Sequence, residues 1–151
     1  EDHSMIITQN EMMARSSKAF LGSVSQVQVA SENGHIQLYN SGTGIIQVNS
    51  GSVYVAAAGV VNMYFYNTTL TTLATSYNAY EGAATGNGKI RRRTNVGVLG
   101  TILLKTRRCL ADTPVEYLKK NPIILPPNKG LMFAAGTVNV TIAADFEWLE
   151  F

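Results

Sequence analysis

Val138-Asn-Val-Thr-Ile-Ala-Ala-Asp-Phe-Glu-Trp-Leu-Glu-Phe151 closes the chain, and its reading decides the fold. Val138, Val140, Ile142, Ala144, Phe146 and Trp148 fall on one side of an extended backbone, and Asn139, Thr141, Ala143, Asp145 and Glu147 fall on the other. A side-chain period of two, with one apolar and one polar face, is the pattern of a strand that covers a core. Just upstream, Pro122-Ile-Ile-Leu-Pro-Pro-Asn-Lys-Gly-Leu131 sets short apolar runs around prolines and a glycine that force turns. The chain therefore ends as antiparallel β structure.

Working back from that end, short apolar runs alternate with turn residues from Phe20 onward, at the spacing of sandwiches and barrels. At least eight strands are expected. Residues 24–30 lead into Glu32-Asn-Gly34, whose Asn-Gly pair favours a tight hairpin returning along residues 35–39. Ser41-Gly-Thr-Gly44 makes the next turn, and residues 45–48 and 53–57 read as two strands around Asn49-Ser-Gly51. In residues 60–66, Val61, Met63 and Phe65 alternate with Asn62, Tyr64 and Tyr66, so the second set is expected to face solvent or a partner. Residues 75–95 read as the longest interruption, a glycine-rich polar loop that holds Tyr77, Tyr80 and Arg91-Arg-Arg93; long loops carry function more often than strands do. Beyond it lie an apolar run over 96–105, a strand over 113–118 opened by Pro114, and strands over 123–125 and 131–135.

The first residues differ from the rest. Ile6, Ile7, Met12 and Met13 are mixed with polar residues without alternation, which predicts an arm or short helix over 1–19 and a single β-sandwich domain over 20–151. Asp2 or Ser4 could cap a helical turn, but the segment is short for a helix that stands alone. An arm ordered by a neighbour and a turn folded back on its own domain both satisfy this pattern.

At 151 residues, with 46% hydrophobic side chains, one buried core is sufficient. Charged residues make up 15%, against an average of about 25%, so much of the surface is weakly polar and suited to meeting another protein. A formal charge of +2 is too small to argue for nucleic acid or membrane as a partner. The single cysteine, Cys109, cannot form an intrachain disulfide, which fits assembly in a reducing cytoplasm. There is no apolar run near the ~20 residues of a membrane helix, and the first residues lack a basic segment followed by an apolar stretch. The absence of an initial methionine points to processing, trimming or numbering that starts inside a longer chain.

Candidate chemistry is sparse. Gly82-Ala-Ala-Thr-Gly-Asn-Gly-Lys89 has the glycines and lysine of a phosphate-cradling loop, but five residues rather than four separate the outer glycines, and Ile90 follows the lysine. Arg91-Arg-Arg93 with Lys89, Arg107 and Arg108 could grip phosphates; with so small a net charge, a solvated patch or one facing an acidic protein is preferred. His3, His35 and Cys109 give no metal spacing, and no serine sits in a Gly-x-Ser-x-Gly turn. The acids are scattered singly, so none is promoted to a glycosidase pair, and no catalytic residue or cofactor is expected. Cys109 is expected as a small buried side chain. Tyr39, Tyr54, Tyr64, Tyr66, Tyr77 and Tyr80 supply amphipathic contact area, usable for a receptor, a glycan or ordinary cross-strand pairing. Asn67-Thr-Thr69 and Asn139-Val-Thr141 match the glycosylation pattern incidentally.

Val60-Val-Asn-Met-Tyr-Phe-Tyr-Asn-Thr-Thr-Leu70, Val98-Leu-Gly-Thr-Ile-Leu103, the 122–131 segment and Ala144-Asp-Phe-Glu-Trp148 together resemble small proteins encoded among the structural genes of tailed bacteriophages. The resemblance covers residues 20–151. It implies a jelly-roll virion protein similar to the cement or decoration proteins that clamp capsid subunits from outside, with no cofactor and no catalytic residues to carry over.

The expectation is an eight- to ten-stranded antiparallel β-sandwich of jelly-roll type, not an enzyme, made in the host cytoplasm and bound to the capsid exterior. Its partners would be the major capsid protein and itself, as a dimer or trimer, without nucleic acid or membrane. The expected contact residues are Ile6, Ile7, Met12, Met13, Tyr64, Tyr66, Tyr77, Tyr80, Arg91, Arg92 and Arg93. The alternative is a tail-fibre or receptor-binding domain that recognises a glycan through its aromatic loop. A glycan hydrolase on a β scaffold is a third reading.

Overall fold

The computed structural model describes residues 8–96, 102–118 and 121–151. After a short helix, α1 (Gln9–Arg15), the chain runs as β1 (Ala19–Gln26), β2 (Gly34–Asn40), β3 (Ile46–Val55), β4 (Gly59–Phe65), β5 (Thr72–Leu73), β6 (Tyr77–Asn78) and β7 (Gly88–Thr94). It continues as β8 (Ile102–Cys109), β9 (Val115–Glu116), β10 (Ile123–Leu125), β11 (Gly130–Ala135) and β12 (Ile142–Glu150).

These strands form two antiparallel sheets packed face to face, an all-β sandwich. The first sheet has the order β10-β3-β12-β1-β6, with β9 also on β3; the second has the order β5-β7-β2-β11-β4-β8. The pairings nest: β1 with β12, β2 with β11, β3 with β10 and β4 with β8. Successive strands β1 to β4 therefore alternate between the sheets, and each meets a strand from the second half of the chain.

The core follows from the alternation read in the terminal segment. Ile142, Ala144, Phe146 and Trp148 on β12 are buried, while Asp145 and Glu147 are exposed. Phe146 stacks on Phe133 of the opposite sheet at 5.5 Å, Phe133 meets the edge of Tyr117 at 4.9 Å, and Phe20 stacks on Trp148 at 6.0 Å. Phe20 and Trp148 are direct cross-strand partners, so one pairing supplies both register and aromatic contact. Each of these rings removes a large apolar area from water, worth about 2–3 kcal/mol before the cost of ordering the chain.

Several local expectations are overturned. Asn33-Gly34 does not close a hairpin: β1 and β2 lie in different sheets, and the segment between them crosses the sandwich with Ser31 at φ 64°. Residues 45–48 and 53–57 are not separate strands, because β3 runs unbroken through Asn49-Ser-Gly51. The register to β12 steps there, pairing Ser50 with Glu147 and Val48 with Trp148, so Asn49 is the extra residue of a bulge. A Cβ on Gly51 in that stretch would come 3.3 Å from the Phe133 ring, closer than ordinary van der Waals contact. Arg91-Arg-Arg93 is not in a loop; it lies in β7, paired with both β2 and β5. Val138 precedes the terminal strand and is 39% exposed.

Candidate functional site

His35 and Cys109 lie on different strands, β2 and β8, and both are buried. His35 is buried on β2 and donates its Nδ1 proton to the Asn33 carbonyl at 3.1 Å. Burial pushes its pKa down to about 4, with the Arg93 guanidinium adding to the effect and the Asn33 bond opposing it. Burial likewise raises the Cys109 thiol, against smaller opposing pulls from the Tyr117 hydroxyl and Arg107, so the thiolate that would attack a substrate is disfavoured. Tyr117 donates to the Val61 carbonyl. Among the described residues, no three His, Cys, Asp or Glu side chains gather as metal ligands.

The expected contact residues fall into separate places. Ile6 and Ile7 lie outside the described residues. Met12, 55% exposed, and half-buried Met13 lie on α1, which Thr8 caps by accepting from the Glu11 amide at 3.1 Å. The helix buries none of its residues, and Asn10 accepts a hydrogen bond from Asn49 of β3 at 3.1 Å. Tyr77 and Tyr80 are exposed at the β6 edge, whereas Tyr64 and Tyr66 are half-buried. Tyr39 does not face solvent; it is buried, with its hydroxyl 3.5 Å from Asn128 Oδ1. Adjacent residues on a strand point opposite ways, which splits the arginine run: Arg92 reaches Gln26 Oε1 at 3.2 Å, while Arg91 and Arg93 share the other side with Gln37 and His35.

That other side is the outer face of the second sheet. Across it, Leu73, Arg91, Gln37, Met132, Tyr64 and Leu103 stand in register on six successive strands. Its middle is covered by residues 66–70: Gln37 donates to the carbonyls of Tyr66 and Thr68 and accepts from the Leu70 amide at 2.8, 3.0 and 3.1 Å. Leu70 of that segment and Met132 of β11 are both buried. The exposed flanks of this face carry cations, Arg93 on β7 and Arg108 on β8, with Lys89 and Arg91 half-buried.

The outer face of the first sheet has the opposite sign. Glu116, Ser52, Asp145 and Ser23 form one row, and Ser50, Glu147, Leu21 and Tyr77 the next. All three carboxylates are exposed. Asp145 and Glu147 border a shallow depression of about 430 Å³ that includes Ser23, Ser50, Ser52 and Tyr77.

A third surface escaped the sequence reading. β8 and β10 are edge strands of the two sheets, and β8 is eight residues long. Ile102, Leu103 and Ile124 there are 63%, 53% and 45% exposed. Ile102 and Ile124 line an apolar groove of about 270 Å³ with Phe65, Leu125 and Pro126. The other edges are blunted, since β5 and β6 have two residues each. The signal available was the apolar run over 96–105, but its exposure depends on no strand other than β4 pairing with it among the described residues.

Comparison with protein-family models, with curated proteins and with solved structures returned no match.

Proposed function

We propose that the chain is a structural virion protein of jelly-roll type, a cement or decoration protein that binds the outer capsid surface and stabilises the shell. The jelly-roll reading is supported by the nested pairings, because a jelly roll is a long antiparallel hairpin wound on itself and its first strand must meet its last, its second the next to last, and so on. The virion reading is supported by the resemblance of the 60–70, 98–103, 122–131 and 144–148 segments to phage structural proteins.

The observation that carries the assembly role is the β8 edge. An edge strand of eight residues, paired on one side only among the described residues and carrying exposed Ile102 and Leu103, offers backbone groups and apolar side chains together. That combination is a template for another chain unless something covers it. The major capsid protein is the partner assigned to this edge, and further copies of this chain, as dimer or trimer, are assigned to the remaining surface. Mechanically, an interface of standard size, ~1,600 Å², repeated over a shell adds binding free energy that internal pressure must overcome.

The test is co-sedimentation with capsids stripped of the protein. Leu103→Lys places a charge on the edge without touching the core and is expected to abolish binding while leaving the thermal midpoint unchanged. Undiminished binding by that variant would remove the β8 edge from the interface.

A second reading, glycan recognition, is favoured by the depression on the first sheet, where hydroxyls, carboxylates and the Tyr77 ring converge. Sugars are held by such polar groups beside an aromatic face. Loss of binding to host-surface glycans in Tyr77→Ala, with capsid binding intact, would support it.

A further inference from the structure

The two outer faces of this sandwich carry opposite charge, and each has exposed apolar side chains beside the charge. On the first sheet, Glu147 stands in register with Leu21 and Tyr77, which are 41% and 62% exposed. On the second sheet, Arg91 stands in register with Leu73, 57% exposed, and Arg93 lies two residues further along the same side of β7. Register places no cation on the outward side of β1, β3 or β12, and no carboxylate on the outward side of β2, β4, β7, β8 or β11.

We infer that these faces dock on each other between copies, the Glu147 face of one chain against the Arg93 flank of the next. This deepens the assembly reading above by naming the self-contact, and it concerns surfaces other than the β8 edge. The occupant follows from sign and composition. Two identical faces brought together would oppose like charges, whereas the unlike faces bring Glu147 to arginine and Leu21 and Tyr77 to Leu73. Strand spacing of about 4.8 Å selects the flank. Asp145 and Glu116 lie two strands apart, about 10 Å, whereas Arg93 and Arg108 lie four strands apart, about 19 Å. The acidic patch therefore covers one cationic flank and not both; on the β7 flank exposed Arg93 lies two residues from the register of exposed Leu73 on the adjacent strand, whereas on the β8 flank exposed Arg108 lies five residues along the chain from exposed Leu103.

Such an interface is heterologous: each copy uses one face to hold the copy below and the other to hold the copy above, so it closes as a ring or continues as a stack. Exposed ion pairs add little affinity singly, but opposed faces speed encounter and reject the like-charged orientation. Association should accordingly fall steeply with salt.

The experiment is sedimentation velocity on the purified chain at low salt, on the order of 20 mM, and at about 500 mM, where the Debye length drops below ~5 Å. The wild-type chain is expected to associate with rising concentration at low salt and to dissociate at high salt. Glu147→Lys and Arg93→Glu, each alone, are expected to weaken association at least about tenfold. Mixed together, they are expected to regain association, because every contact between unlike variants again pairs unlike charges, either in the native sense or in the reversed one. A wild-type chain that stays monomeric at low salt, single variants that associate like wild type, or a mixture that stays monomeric would each overturn the inference. Capsid binding through β8 is scored separately by Leu103→Lys, so either proposal can fail without the other.

Discussion

Trp148 donates its indole Nε1 proton to the carboxylate of Glu150, two residues further along the same core-facing side of β12, at 2.9 Å. The same carboxylate accepts from the backbone amides of Asn87 and Gly88, both at 2.9 Å. One buried acid thereby joins the last strand of the first sheet to the start of β7 in the second, and it satisfies the buried indole and Gly88 amide as well as the part-buried Asn87 amide.

Removing the ring and removing the acid should therefore both be costly, for different reasons. Trp148→Ala is expected to lose about 3–5 kcal/mol in denaturant unfolding, as a large aromatic leaves a cavity. Glu150→Ala is expected to lose about 2–4 kcal/mol, because it strands the indole and two amides. A loss under about 1 kcal/mol for Trp148→Ala would mean that the ring is not packed as described.

Gly88 sits close against the indole. A Cβ at that position would come 2.5 Å from Trp148 Nε1, so Gly88→Ala must displace either the ring or β7. Overpacking of this kind costs about 1–3 kcal/mol. A combined Gly88→Ala, Trp148→Phe variant should recover part of that loss, measurable as a non-additive double-mutant cycle.

His35 makes stability depend on pH. Its folded pKa of about 4 lies below its ordinary 6.5, so between these values the unfolded chain binds the proton and the folded chain does not. Stability contributed by the neutral ring is complete above about pH 6.5 and is lost as pH falls toward 4, by up to about 3 kcal/mol. Arg93 on β7 supplies the charge that adds to burial in opposing protonation, and Asn62 and Tyr64 of β4 line the same cavity. His35→Gln should flatten that part of the stability profile. An unchanged slope between pH 6.5 and 4 would show that other groups dominate.

Gln37 fastens residues 66–70 over the second sheet with three hydrogen bonds. Gln37→Ala should release this covering segment before the sandwich itself unfolds. Hydrogen exchange at the Leu70 amide is the direct reading, and protection there should fall by at least about tenfold, from loss of roughly 1.5 kcal/mol or more.

How legible each element was depended on what covered its two faces. β12 and β4 could be read from alternation because one side of each meets the core and the other meets water. β2 could not, since all seven of its residues are buried and residues 66–70 lie over its outer side. The Asn33-Gly34 signal was local and correct about bending the chain, but long-range pairing with β11 and β12 sent the next strand to the other sheet. Three consecutive arginines looked like a loop; they fit a strand because alternate side chains leave on opposite faces. The exposed β8 edge was hidden because apolar residues fall on both of its sides, and the Leu104 bulge shifts the pairing so that Met63 meets Lys105 and Tyr64 meets Leu103.

The central claim is that this sandwich serves as a structural component on the outside of a capsid. The most direct measurement is the copy number of the chain in purified heads and tails of the particle whose genome encodes it, by quantitative mass spectrometry. The account predicts hundreds of copies on heads. A few copies confined to tails, or absence from both fractions, would contradict it.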